Sequence, residues 1–245
     1  MSKNIILKKE TIKRLIHDVK NIIKNPLNDN GIYYHHDTDD ILTGYALIIG
    51  PSDTPYFGGN YLFELKYPDN YPHSPPIVTY CTNGDNIRFN PNLYTNGKVC
   101  ISLLNTWRGD QWTSCQTIST VLLTLCSLLN DTPILNEPGV TNKHNDYSNY
   151  HKIITFKNYD IAIINYIRYF ISDNHCVFKF SIFKDTILDN FKKNIGIIMN
   201  YLEKHKYDEL IVATTTLYNM NVIINYTELY EKMNLLIKEL KIKLN

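Results

Sequence analysis

The sequence predicts an α+β fold, an antiparallel meander of short strands with helices segregated to its flanks and a mainly helical C-terminal extension. Three observations carry this. Residues 8–25 repeat apolar side chains at helical spacing. Between residues 43 and 80, short β-branched and aromatic runs are bounded by Gly and Pro. From about residue 114 the apolar spacing becomes helical again.

In the first segment, Ile12, Leu15, Ile16, Val19, Ile22 and Ile23 share one face, with Lys, Arg and Asp opposite. Asn25-Pro26 ends it, because the residue before a proline is steered away from helical dihedrals. Residues 27–40 read as a polar, turn-rich link. They carry His35 and His36, which lack further ligands at suitable spacing and read as solvated loop residues rather than a metal site. Residues 43–49, 60–66 and 77–80 read as strands. Gly50-Pro51, the Gly58-Gly59 turn and the prolines at 68, 72, 75 and 76 leave little between them, which argues for a meander. After Trp107-Arg108-Gly109-Asp110-Gln111-Trp112, Ser114 or Thr113 can cap a second helix. Its buried stripe is Ile118, Val121, Leu122, Leu125, Leu128 and Leu129. Residues 143–171 read as helical, with Ile153, Ile154, Ile161, Ile164 and Ile167 inside.

The last part differs in texture. Phe178, Phe180 and Ile182 alternate briefly, then Ile187, Leu188, Phe191, Ile195, Ile198 and Leu202 repeat at helical spacing. Residues 207–225 are mixed. Leu229, Met233, Leu236 and Leu240 mark a terminal amphipathic helix. These faces need a covering surface, either the preceding domain or a partner; packing on the preceding domain is the expectation.

Composition narrows the function classes. At 245 residues the chain can bury a sizeable core. A net charge of +1 gives no field-level reason to expect nucleic acid or an anionic membrane as partner. No apolar run is long enough to span a bilayer, and MSKNIILKKE lacks a signal-peptide pattern. The five cysteines are an odd number without CxxC or zinc-like spacing, so they read as free thiols of a reducing compartment, cytosol or nucleus.

Chemistry concentrates in Arg88-Phe89-Asn90-Pro91-Asn92-Leu93-Tyr94-Thr95-Asn96-Gly97-Lys98-Val99-Cys100-Ile101-Ser102. Cys100 lies just past an Asn-Gly turn, and a thiolate suits acyl transfer because it attacks carbonyls well and leaves well. Asn92 lies upstream, across a segment able to fold back. An amide donor near the attacked carbonyl would stabilise the oxyanion that forms. Taken alone, a cysteine in an apolar run is more often a small buried hydrophobe. The flanking motifs change that balance.

Those motifs resemble the ubiquitin-conjugating enzymes. Pro55-Tyr56-Phe57-Gly58-Gly59-Asn60-Tyr61 is similar to that family's second-to-third strand hairpin, and Tyr67-Pro68-Asp69-Asn70-Tyr71-Pro72-His73-Ser74-Pro75-Pro76 to its proline-rich connection. Asn90-Pro91-Asn92 with Cys100 eight residues after Asn92 has the spacing of its His-Pro-Asn tripeptide and active-site cysteine. Trp112 and Asn136-Glu137-Pro138 continue the match in order, which covers residues 8 to about 170. Asn90 in place of His, Thr106-Trp107 and Asn136-Glu137-Pro138-Gly139 resemble one subgroup, that of the large conjugating enzyme charging ubiquitin and the ubiquitin-like protein FAT10.

The resemblance implies a four-stranded antiparallel meander, whose fourth strand falls near residues 86–89 or is poorly formed. It implies a conjugating domain over residues 8–172 with an extension over 173–245 packed on it. Cys100 would carry ubiquitin, or a ubiquitin-like protein, as a thioester taken from the activating enzyme. It would then pass it to a substrate lysine or a ligase, with no cofactor and no metal. Asn92 would stabilise the oxyanion or hold the loop. Glu137 would orient or deprotonate the lysine, with Asn136 sharing the role, or be a solvated loop carboxylate. Asn90 would act on loop structure, and Ser102 stands where common members carry Asp. His73 and Ser114-Cys115 depart from the pattern of members that work with RING ligases, so a RING or HECT partner is not supported there. Rival readings are a ubiquitin-binding adaptor, against which Cys100 stands, a cysteine hydrolase using His144 or His151, and an interaction protein whose tail binds a partner helix.

Overall fold

The computed structural model describes residues 7–172 and 174–243. Helix α1 (Lys9–Lys24) buries Thr11, Leu15, Asp18 and Ile22. Ile16 and Ile23, expected on that face, are 43% and 70% exposed. Polar anchors set the rotation. Tyr71 donates its hydroxyl to Asp18 at 2.6 Å, the Arg14 guanidinium reaches the same carboxylate at 3.0 Å, and Thr11 donates to the Asp69 carbonyl. A carboxylate paired on both oxygens can be buried, and it turns the neighbouring isoleucines outward.

The sheet has the order β1-β2-β3-β4, all antiparallel: β1 (Ile32–His36), β2 (Thr43–Ile49), β3 (Asn60–Lys66) and β4 (Ile77–Tyr80). Its register stacks Tyr34 against Ala46, Ala46 against Phe63, and Phe63 against Tyr80. The three strands expected from the sequence are β2 to β4. The remaining strand is not near residues 86–89, where the chain is irregular and only sends Ile87 and Phe89 into the core. It is β1, inside the stretch read as a link. There His36 is no solvated loop residue. Its Nδ1 accepts from the Tyr34 hydroxyl at 2.7 Å while Nε2–H donates to the Ile41 carbonyl, and burial lowers its pKa.

Helix α2 (Ile118–Ser127) starts later than Ser114 or Thr113 would place it. Its cap is Thr117, whose side chain accepts from the Thr120 N–H, and Thr120 answers by accepting the Thr117 N–H. This reciprocal pair satisfies two backbone donors at the helix start. Ile118, Val121, Leu122, Leu125 and Leu129 are at most 1% exposed. Helix α3 (Tyr147–Lys157) passes through a π-helical stretch, Asn158–Asn165, into α4 (Tyr166–Ile171). The wider π turn meets β3. Tyr61 donates to Asn158 Oδ1 at 2.7 Å, Asn158 donates to the Phe57 carbonyl, and Asn60 donates to the Ala162 carbonyl.

Beyond residue 173, a 3₁₀ run (His175–Phe183) buries Phe180 edge-on to Tyr45 and leaves Phe178 and Ile182 exposed, so the alternation there is not a strand. Helix α5 (Lys184–His205) follows, then a hairpin of β5 (Ile211–Thr214) and β6 (Asn221–Ile224), then α6 (Tyr226–Lys243). Leu229, Met233, Leu236 and Leu240 of α6 are at most 5% exposed, in one cluster with the core around the sheet. Burying each such side chain contributes about 2 kcal/mol. Polar contacts cross the same boundary: Lys179 to Glu64, Arg168 to Glu239, and Lys232 to Asp160. Among the described residues, no helix is long and apolar enough to cross a membrane.

Candidate active site

The stretch around Cys100 lies beyond β4, and its shape comes from a tight turn. Gly97 takes φ 89°, a left-handed conformation that a side chain would strain. The Gly97 N–H donates to Tyr94 O and the Tyr94 N–H to Lys98 O, both at 2.9 Å. The chain therefore doubles back, and Leu93 bridges to Val99. One step further along, Cys100 meets Asn92. The Cys100 N–H donates to Asn92 O at 2.9 Å, and the Asn92 side-chain amide donates to Cys100 O at 2.6 Å.

Asn90 holds the turn from behind. It is fully buried and donates to Leu128 O at 2.7 Å and to the Tyr56 hydroxyl at 3.2 Å. Its Oδ1 accepts the Asn92 N–H at 2.9 Å and the Asn136 amide at 3.4 Å. The amide thus ties the tripeptide to the end of α2 and to the loop before Glu137. Arg88 adds a second support, donating to Asn90 O and Pro91 O while its guanidinium stacks 3.3 Å over the Tyr94 ring.

The Cys100 side chain is 5% exposed, and its thiol donates to Thr106 O at 3.1 Å. The Thr106 hydroxyl in turn accepts the Ile101 N–H and lies 3.0 Å from both Val99 O and Ile101 O. Cys100 is followed by a 3₁₀ turn, Ser102–Leu104, rather than opening a long helix. Burial raises the other core thiols, Cys81 to about 11 and Cys126 upward, while Cys115 is exposed in the loop before α2.

Cys100, Asn92, Asn136 and Glu137 line one shallow cavity of about 60 Å³, closed by Pro91, Tyr94, Trp107 and Pro138. The three candidate residues are therefore brought together. Neither His144 nor His151 lines this cavity. His144 Nδ1 accepts the Asp146 N–H, and His151 belongs to a separate cavity of about 520 Å³ between the β2–β3 connection and α5. Glu137 is half-buried, and its Oε2 accepts the Tyr218 hydroxyl at 2.5 Å. Tyr218 comes from the turn between β5 and β6, and nothing in its surrounding sequence marks it. Arg88 and Thr106 sit in motifs that the sequence marks, yet the groups they bond are backbone ones, which no residue pattern reveals.

The profile of the ubiquitin-conjugating enzymes matches residues 14–157. Over 157 residues the chain is 41% identical to human ubiquitin-conjugating enzyme E2 Z, covering 63% of this chain and 44% of that one. The Danio rerio protein of the same name is also 41% identical, covering 63% of this chain and 47% of its own. Over 101 residues the chain is 50% identical to the human dual E2 ubiquitin-conjugating enzyme/E3 ubiquitin-protein ligase BIRC6, covering 38% of this chain and 2% of that protein. The solved structure of human ubiquitin-conjugating enzyme E2 G1 is 30% identical, covers 49% of this chain and 94% of its own, and superposes with a TM-score of 0.43. The chain spans about half the length of the first curated relatives it matches. Its sheet, the doubled-back loop carrying Cys100 and a profile match over more than half its residues agree: the chain belongs to the ubiquitin-conjugating enzyme family.

Proposed function

We propose that this chain is an acyltransferase that carries ubiquitin, or a ubiquitin-like protein, as a thioester on Cys100. The observation that supports this most is the doubled-back loop, which sets Asn92 on Cys100 and opens both onto the cavity that Glu137 lines. In the first step the Cys100 thiolate attacks the carbonyl of the modifier's C-terminal glycine. The new C–S bond replaces the thioester to the activating enzyme, whose cysteine leaves as thiolate. In the second step a lysine amine, or a ligase cysteine, attacks the same carbonyl and Cys100 leaves. The ammonium proton of the lysine must be lost on the way, and Glu137 is the carboxylate at hand for it. ATP is consumed by the activating enzyme, so neither step here draws on a nucleotide, metal or other cofactor.

Asn92 keeps the Cys100 carbonyl paired, and its amide is the candidate donor for the developing oxyanion. Residues 8–172 act as the conjugating domain, with residues 173–245 as an extension packed on it. The partners are the modifier, its activating enzyme, a substrate lysine and, where one is used, a ligase; no nucleic acid or membrane partner is invoked. A reducing compartment, cytosol or nucleus, suits a free thiol nucleophile.

The test is a charging assay with activating enzyme, ATP and a panel of modifiers, with and without reductant. The expected product is a reductant-labile adduct that Cys100→Ala abolishes. Charging through a thioester in Cys100→Ala would overturn the assignment.

A further inference from the structure

The extension reaches the candidate active site through its β5–β6 turn. Between β5 and β6 the chain turns through Tyr218 and Asn219, with φ 66° and 50°. A bulky residue avoids that left-handed region, so the surroundings must hold Tyr218 there. Asp146, 4% exposed, does most of the holding: it accepts the Thr216 N–H at 3.1 Å, the Thr216 hydroxyl at 2.8 Å and the Leu217 N–H at 2.8 Å. Asn149 of α3 adds a bond to Thr214 O.

Held this way, the Tyr218 ring packs edge-on to Tyr150 and lies under the Arg88 guanidinium at 4.9 Å. Its hydroxyl ends 2.5 Å from Glu137 Oε2. Burial, and the Glu137 carboxylate beside it, push the Tyr218 hydroxyl far above the usual phenol range, so it remains a donor. A charge-assisted bond of this kind fixes direction as well as adding energy.

We propose that Tyr218 is a positioning residue of the acyl-transfer site, holding Glu137 by one oxygen so that the other faces an amine arriving at the Cys100 thioester. This rests on the function proposed above. The bond is made from residue 218 to residue 137, so the extension becomes a working part of the site and not only a cover for the core. The same ring braces Arg88, which supports the Asn90-Pro91-Asn92 turn, so one side chain steadies both walls of the cavity.

The experiment uses the full chain, charged with ubiquitin and then chased in single turnover. Tyr218→Phe keeps the ring and removes only the donor. Discharge to free lysine should fall about tenfold, equivalent to ~1.4 kcal/mol. Discharge to 2-mercaptoethanesulfonate, a thiol that ionises unaided, should be unchanged, as should charging, while Tm should fall only by the loss of one hydrogen bond. In a Glu137→Ala background, Tyr218→Phe should cause no further loss, because nothing remains to position. Lysine discharge equal to or above that of the unaltered chain overturns the proposal. So does a parallel loss toward lysine and thiol, or additive losses in the double variant. An unaltered chain that forms no reductant-labile adduct overturns the proposed function itself, and this inference with it.

Discussion

Asn92 and Cys100 are joined twice, by the Cys100 N–H to Asn92 O at 2.9 Å and by the Asn92 side-chain amide to Cys100 O at 2.6 Å. One N–H of the amide is therefore engaged on the backbone of the nucleophile before any substrate arrives. Asn92→Ala should leave that carbonyl without its donor. The expected outcome is a stability loss of about 1 kcal/mol with charging and lysine discharge reduced together. Melting temperature and single-turnover rates for both steps check it. A discharge rate down roughly a hundredfold with charging intact would instead mean that the amide donates to the oxyanion.

Asn90 is the buried hub behind the pair, and its four contacts include a backbone carbonyl and a backbone N–H. Asn90→Leu would strand the Asn92 N–H, while Leu128 O would keep the Asn136 amide at 3.2 Å. An unmet buried group costs about 1–3 kcal/mol, so the substitution should destabilise the chain by about that much. Chemical denaturation measures this directly. A loss under about 1 kcal/mol would show that the turn is held by other means.

Thiol chemistry offers an independent reading of the site. Cys115 is exposed, Cys100 is 5% exposed, and burial raises Cys81 to about 11 and Cys126 upward. Thiolates, not thiols, react with a maleimide. At pH 7 and limiting reagent, a bulky maleimide should label Cys115 well before Cys81 or Cys126. Peptide mapping gives the order, and early labelling of Cys81 would contradict the burial described.

What the sequence made legible was local. Spacing and flanking motifs single out Cys100, Asn92 and Glu137, which line one cavity, and Gly and Pro punctuate β2 to β4. Strand β1 is not legible because Ile32-Tyr33-Tyr34-His35-His36 looks polar until Tyr34 and His36 bond to each other along one face of the strand. Periodicity placed Ile16 and Ile23 of α1 inward, and it cannot see the Asp18–Tyr71 bond that rotates the helix. The hairpin β5–β6 was hidden because Ile211, Val212 and Ile223 face outward, at 38%, 58% and 59% exposure, which blurs the alternation expected of a half-buried strand. The Tyr218–Glu137 bond joins positions 81 residues apart, and no local pattern encodes such a contact.

Asp146 gives the extension a pH dependence. Burial alone would raise its carboxyl, but the Leu217 N–H and the hydroxyl and N–H of Thr216, with His144 nearby, hold it below the usual carboxylate range. A depressed folded-state pKa means stabilisation that is complete above the unfolded value, about 3.9, and lost as pH falls through the folded value. The turn carrying Tyr218 should therefore stay docked through the neutral range and loosen only in strong acid. Asp146→Asn should bring that loosening to pH 7. It keeps one acceptor oxygen, loses the charge, and turns an NH₂ group toward donors. The expected signature is faster amide exchange at Thr216 and Leu217 than in the unaltered chain. Lysine discharge should fall as in Tyr218→Phe, while charging of Cys100 persists, because Asp146 touches neither Cys100 nor Asn92. Unchanged exchange at both amides would show that the turn is held by Asn149 and the packing of Leu217 instead.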